Sequence, residues 1–271
     1  ASGEVLFGSN LLRLPEKELC QIRGNRMGMV FQEPMTALNP VLPIGFQVAE
    51  SLRLHKSLSL HEAQNQASKV LDRVGLPAKI FSRSLYPHQL SGGQRQRVVI
   101  AIAIVCEPEL IIADEPTTAL DVTIQEQILA LISELVLERN MALILITHDL
   151  GVVAENTDQM LVMYAGRIVE RGPTQKVFRH LAHPYTRGLF ASIPDSEKSL
   201  NEPSQQLEYS RKKRLSTIPG RVPEFWERSK GCSFADRCSR TQGKCSSLVP
   251  DEIQFDTGHY TTCFFPYEQN E

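Results

Sequence analysis

The 271-residue sequence is short of long apolar runs and of net charge. Its longest unbroken apolar stretch, residues 98–106, is nine residues, whereas a helix crossing a bilayer needs about 20, so no spanning helix is expected. No secretory pattern opens the chain, which begins at Ala1 directly on strand-like sequence. With 29 Lys and Arg against 31 Asp and Glu, the net charge of -2 gives no overall bias toward nucleic acid or anionic lipid. There is no internal repeat. A G-x-x-x-x-G-K-[ST] phosphate loop is missing as well. The one Gly-Lys pair, Gly243-Lys244, is followed by Cys245 and has Cys238 where the first glycine would stand. What is present is ordinary for a domain with a true core: 42% of the residues are hydrophobic.

Cysteine is sparse along most of the chain. Cys20 and Cys106 are isolated, while Cys232, Cys238, Cys245 and Cys263 are separated by five, six and seventeen residues. Without a secretory pattern the compartment is expected to be reducing, where clustered thiols suggest a metal centre before disulfides. Four thiolates ligate either a [4Fe–4S] cluster or tetrahedral zinc. Structural zinc sites usually bring their thiols in C-x₂₋₄-C pairs, and no such pair occurs here. Iron–sulfur is therefore the first expectation and zinc the alternative, in a structural role. His259 is close in sequence but adds nothing if four thiolates suffice. Two disulfides or free thiols are the competing readings.

Up to about residue 190, strand-like and helix-like segments alternate. Residues 4–7 read as a short strand and 27–31 as another, ending at Gln32. Ser59 and Glu62 form a capping-box pattern ahead of Ala63, Ala67, Val70, Leu71 and Val74, which share one helical face. Residues 110–113 and 142–146 read as buried strands, with 159–163 as a third. Between the first two, Ile124, Ile128, Leu131, Ile132 and Leu135 line a long helix. Short apolar strands separated by amphipathic helices imply an α/β domain with a mainly parallel sheet, carrying a helical insert over residues 45–105. The domain is expected to span 1–193. A polar stretch follows at 194–217, rich in Ser, Glu, Gln, Lys and Arg, and reads as a linker. Residues 218–271 form a small cysteine-rich extension with too few apolar residues for a core of its own.

Three patterns carry chemistry. In Leu90-Ser91-Gly92-Gly93-Gln94, Ser91 caps a helix whose first turn holds two glycines, leaving backbone N–H groups open to a phosphate; a glycine-softened helix start is the plain alternative. Residues 110–113 are followed by Asp114 and Glu115, two carboxylates at the carboxyl edge of the sheet, where open α/β sheets bind ligands. Asp114 suits Mg²⁺ and Glu115 suits a base acting on water; an idle solvated pair is the alternative. Thirty-three residues after Glu115 a further strand ends at His148, which can reach the same edge; a purely structural histidine is the alternative.

Taken together these residues resemble the nucleotide-binding subunits of ATP-binding cassette (ABC) transporters, which have a P-loop NTPase-like α/β fold. Gln32 stands at the Q-loop, residues 90–94 match the signature motif, and residues 110–114 followed by Glu115 look like Walker B. Ala119-Leu120-Asp121 looks like the D-loop and His148 like the switch histidine. Residues 32–40 are similar to the Q-loop of dipeptide, oligopeptide and nickel importers. Tyr86-Pro87-His88-Gln89, His183-Pro184-Tyr185, Ile218-Pro219-Gly220 and the C-terminal cysteines also fit that subfamily. A soluble cassette acting in DNA repair or translation, and a degenerate cassette that only completes a partner's site, are the other readings.

The resemblance implies ATP and Mg²⁺ as ligands. Two cassettes would pair head to tail, either as identical or as different chains. Ser91, Gly92, Gly93 and Gln94 would contact ATP held by the partner, and Asp121 would carry the signal between them. Asp114 and Gln32 would hold Mg²⁺, with Gln32 also near the attacking water. Glu115 would act as base and His148 would stabilise the transferring phosphoryl group. Further partners would be two transmembrane permease subunits and, indirectly, an extracytoplasmic substrate-binding protein, with no nucleic acid. The location would be the cytoplasmic face of the plasma membrane, peripheral to it. The family's phosphate loop lies N-terminal to the segment resembled by residues 1–12. The chain is therefore expected to start after that loop and to be inactive alone.

Overall fold

The computed structural model describes residues 3–193, 217–227 and 230–268. The chain divides into two units, residues 1–148 and 149–271. The polar segment over residues 194–216 lies outside the described residues.

In the first unit, β1 (Leu6–Phe7) and β2 (Ser9–Asn10) pair antiparallel as a short hairpin, in place of one strand over residues 4–7. Helix α1 (Glu16–Ile22) follows. Three apolar runs then form β3 (Met27–Val30), β4 (Leu110–Asp114) and β5 (Ala142–Ile146), parallel and in the order β3-β4-β5. Parallel neighbours need long crossovers. Between β3 and β4 run α2 (Pro34–Ala37), α3 (Ile44–Lys56), α4 (Leu60–Arg73) and α5 (Gly92–Ile104). Between β4 and β5 runs α6 (Val122–Arg139). The capping box at the start of α4 closes in both directions: the Glu62 amide donates to Ser59 Oγ at 3.3 Å and the Ser59 amide to Glu62 Oε2 at 3.0 Å. Ala63, Ala67, Val70 and Leu71 of α4 are buried in one core with Ile44, Val48 and Leu52 of α3 and with α5. Residues 98–106, the longest apolar run, thus belong to a core helix and its end.

One expectation fails on β5. The run 142–146 reads as buried, yet its residues alternate between exposed and half-buried, with Ile144 49% and Ile146 46% exposed. An unbroken apolar run is buried only when both faces of the sheet are covered; here Leu143 and Leu145 pack on the core, while the face carrying Ala142, Ile144 and Ile146 is uncovered among the described residues.

The second unit holds α7 (Leu150–Asn156), β6 (Gln159–Tyr164), β7 (Arg167–Pro173), α8 (Thr174–Arg179), α9 (Pro184–Ala191), α10 (Gly243–Ser247), β8 (Ile253–Asp256) and β9 (His259–Thr261). Here β6 departs from expectation: it joins an antiparallel sheet, ordered β6-β7-β9-β8, and not the parallel one. Its two-residue connection to β7, Ala165-Gly166, has φ of 47° and 76°, the left-handed pair of a tight hairpin turn. Such a turn permits only antiparallel return. Burial alternates along β6 accordingly: Met160, Val162 and Tyr164 face the core, while Leu161 and Met163 lie outward.

The C-terminal strands β8 and β9 lack apolar content for a separate core; instead β9 pairs with β7, and β8 with β9. A buried polar cluster fastens them. Glu170 of β7 accepts hydrogen bonds from the Ala182 amide at 2.8 Å, the His183 amide at 3.0 Å and His259 Nε2 of β9 at 2.7 Å. The side chains of Glu170 and His259 are both fully buried. His259 is therefore committed to this carboxylate.

Candidate functional site: the carboxyl edge of the parallel sheet

Register decides which loops meet. Val30, Ala113 and Leu145 stand in one row across β3, β4 and β5. Gln32 lies two residues beyond that row, Glu115 two, and His148 three. Because all three strands are parallel, these residues emerge at the same edge, where ligands bind in sheets of this kind.

They converge on one carboxylate. Gln32 Nε2 donates to Glu115 Oε2 at 2.7 Å, Thr118 Oγ1 donates to the same oxygen at 2.8 Å, and His148 Nδ1 lies 3.2 Å from Glu115 Oε1. An ionised carboxylate only accepts, so Nδ1 carries the proton in this contact. The Thr118 hydroxyl first, then His148, holds the Glu115 carboxyl below the ordinary carboxylate range, so it is ionised at neutral pH. The Glu115 amide still donates to Ile146 O at 2.9 Å, yet its φ is 42°. The strand thus ends in a left-handed residue that is not glycine, a conformation that costs free energy and collects at functional sites.

Asp114, the last residue of β4, is half-buried, and its carboxylate accepts no hydrogen bond among the described residues. Gln32 engages Glu115 through its amide nitrogen, leaving its carbonyl oxygen unengaged among the described residues. Of the residues around Glu115, Thr118 is the one that the sequence reading passed over. A hydroxyl three positions after a carboxylate, next to a prolyl turn, was the available signal.

The Ser91 cap forms as the sequence implied. The Gln94 amide donates to Ser91 Oγ at 3.3 Å and the Ser91 amide to Gln94 Oε1 at 2.9 Å. The Ser91 hydroxyl proton and the Gly92 and Gly93 amides stay available at the N-terminus of the 13-residue α5. A Cβ on Gly93 would stand 2.7 Å from Ile124 Cγ2, so glycine there lets α5 approach the start of α6. Asp121 caps α6, accepting from the Ile124 amide at 3.0 Å. Arg95 ties the cap to the Gln32 loop: Nε donates to Leu90 O at 2.9 Å and Nη1 to Met35 Sδ.

The chain is 49% identical to a putative peptide import ATP-binding protein of Brucella melitensis, over 94% of this chain and 73% of the relative. The chain belongs to the ATPase family of ABC transporters. A probable peptide ABC transporter ATP-binding protein of Sinorhizobium fredii is 46% identical over 97% of this chain and 75% of that protein. The family model for ABC transporters matches residues 1–118 of this cassette, and the one for the oligopeptide/dipeptide transporter C-terminal region matches residues 169–245. Among solved structures, a dimeric ATP-binding cassette in a post-hydrolysis state with ADP and Pi superposes with a TM-score of 0.56 at 30% identity. The match covers 62% of this chain and 72% of that one. A cassette from Clostridium perfringens, part of an ABC transporter complex, gives 0.56 at 29% identity, over 66% and 68%.

In the second unit of the cassette, Cys232, Cys238, Cys245 and Cys263 line one cavity together with Phe234, Phe264 and Phe265. None of the four is in a disulfide. A Cβ on Gly231 would stand 2.3 Å from Cys245 O, so only glycine lets the Cys232 loop lie against α10. Burial pushes the Cys232 and Cys238 thiols up, and Cys263 up to about 11. Among the described residues no group of three or more His, Cys, Asp or Glu is placed to hold a metal ion. Nor does any described helix have the length and apolarity to cross a membrane.

Proposed function

We propose that the chain is the ATP-hydrolysing subunit of a membrane importer for di- or oligopeptides, with Glu115 as the base that orients the attacking water. The convergence of Gln32, Thr118 and His148 on the Glu115 carboxylate carries this reading. In it, water loses its proton toward Glu115 as it attacks the terminal phosphorus in line, and ADP leaves. His148, with its side chain 78% exposed, is able to turn toward the transferring phosphoryl group and stabilise its charge. Asp114 and the Gln32 carbonyl fit Mg²⁺, which takes oxygen donors. Both oxygens are unengaged among the described residues. Bound there, Mg²⁺ neutralises charge on the phosphate oxygens.

Ser91, Gly92, Gly93 and Gln94 would meet ATP held by a second cassette, and Asp121 would sit at that seam. The dimeric solved relative and the exposed Ser91 cap support the pairing. Two permease subunits, a binding protein that delivers cargo to them, and a place on the cytoplasmic face of the membrane follow from importer function. Peptide as cargo rests on the relatives' names and the C-terminal match. Residues 1–271 contain no phosphate loop, so this stretch alone is expected to turn over no Mg-ATP: the lysine and backbone donors around the β- and γ-phosphates are not in it.

The decisive test uses the full-length protein. Glu115→Gln keeps ATP binding, lowers steady-state hydrolysis about 10²-fold or more and traps the paired state. Unchanged turnover would remove Glu115 from the role of base.

The same reading gives the four cysteines a [4Fe–4S] cluster that staples the C-terminal segment. Supporting it, the thiols arrive from three separate segments to line a single cavity. Tetrahedral zinc is the alternative metal; among the described residues the side chains are not yet gathered to hold a single ion. Bound there, the cluster would cross-link a segment too small to hold its own core.

A further inference from the structure

We propose that Thr118 is the positioning residue that keeps the Glu115 carboxylate aimed while the other two partners serve the ligand. The inference rests on the reading of Glu115 as base. Glu115 Oε2 accepts from Gln32 at 2.7 Å and from Thr118 at 2.8 Å, and Oε1 faces His148 at 3.2 Å. These three partners differ in what holds them. Gln32 and His148 are exposed and stand on the loops after β3 and β5, so each is able to leave Glu115 for a bound ligand.

Thr118 cannot leave independently. It is half-buried, and its amide donates to Glu115 O at 3.1 Å, closing a turn that starts at Glu115 itself. Left-handed residues bracket that turn, Glu115 at φ 42° and Ala119 at φ 64°. The Thr118 hydroxyl therefore travels with the carboxylate that it holds. The terminal torsion of a glutamate is intrinsically broad, so without a fixed donor the acceptor oxygen would wander once Gln32 and His148 turn away. A hydroxyl has a single proton to donate, and this one is committed to Glu115, which leaves none for nucleotide.

The test measures ATP hydrolysis by the full-length protein carrying Thr118→Val, which keeps the shape and removes the donor. We expect kcat to fall about tenfold to a hundredfold, the effect of one lost hydrogen bond to a charged group. KM for ATP should stay within about twofold, since the one proton that the Thr118 hydroxyl can donate is held by Glu115. Thr118→Ser restores the donor and should recover most of kcat. In a Glu115→Gln background, Thr118→Val should add no further loss. If Thr118→Val keeps its kcat while Glu115→Gln is inactive, the positioning role falls and the base assignment stands. If Glu115→Gln itself turns over normally, the base assignment falls first. If Thr118→Val and Thr118→Ser both lose nucleotide binding, Thr118 is a structural residue and the inference is overturned.

Discussion

Replacing Glu170 by glutamine should loosen the C-terminal strands from the second unit and leave the parallel sheet intact. The carboxylate receives three donors, the Ala182 and His183 amides and His259 Nε2, at 2.8, 3.0 and 2.7 Å. Both ionisable partners are fully buried, so water cannot substitute for a missing contact. In Glu170→Gln one carboxylate oxygen becomes an NH₂ group, which must face a donor. One charge-assisted hydrogen bond is lost, about 1.5–3 kcal/mol, and a buried donor is left unsatisfied. Breaking a buried pair by removing one partner costs about 3–5 kcal/mol, so a loss of about 3 kcal/mol is reasonable, or about 10 °C in Tm for a unit of this size. Circular dichroism melting gives the magnitude, and amide exchange gives the location: protection should fall at Ala182, His183 and β9 and hold in β3, β4 and β5. A Tm within about 2 °C of the parent, a stability loss below about 1 kcal/mol, together with unchanged exchange in β9, would refute the reasoning.

Three further outcomes are expected. Ser91→Arg in the full-length protein should abolish ATP-driven pairing of cassettes while leaving nucleotide binding to each subunit; normal pairing by light scattering would contradict the assignment. Burial pushes His183 down to about 4 from 6.5, and its Nδ1 accepts the Tyr185 amide at 3.0 Å, so the folded state holds the ring neutral. The unfolded chain then binds the proton first as pH falls. Stability from this group is complete above about 6.5 and is lost toward pH 4, with a slope of at most about 1.4 kcal/mol per pH unit. His183→Asn, which keeps a capping acceptor, should flatten that slope in denaturant titrations. Finally, protein purified without oxygen should carry iron and sulfide with a visible absorption band. Zinc in a colourless protein would reverse the choice of metal, and four freely alkylated thiols with neither metal would end it.

Much of the site was legible because its parts are short, local and in fixed order. A capping box depends on residues three apart, so Ser59 with Glu62 could be read without knowing what they pack against, as could Ser91 as a helix cap. Apolar runs located β3, β4 and β5 for the same reason. Thr118 escaped notice because a hydroxyl beside a turn is common, and only the bent backbone at Glu115 aims this one at a carboxylate. The Glu170–His259 pair escaped because its members are 89 residues apart, with nothing local to relate them.

The sequence by itself determined the family and the order of its motifs, and where helices start and apolar strands run, since each depends on nearby side chains and their spacing. Only the tertiary structure decided partnership. Parallel register brought Gln32, Glu115 and His148 to one edge, whereas a two-residue left-handed turn sent β6 into an antiparallel sheet that its composition did not announce. One face of β5, uncovered among the described residues, left an apolar run half-exposed. For the parallel sheet the physical reason is that pairing is set by backbone hydrogen bonds between distant segments, which are blind to the local patterns from which an element is recognised; at β6 it is the backbone of the turn, where Ala165 takes a left-handed φ that alanine seldom adopts.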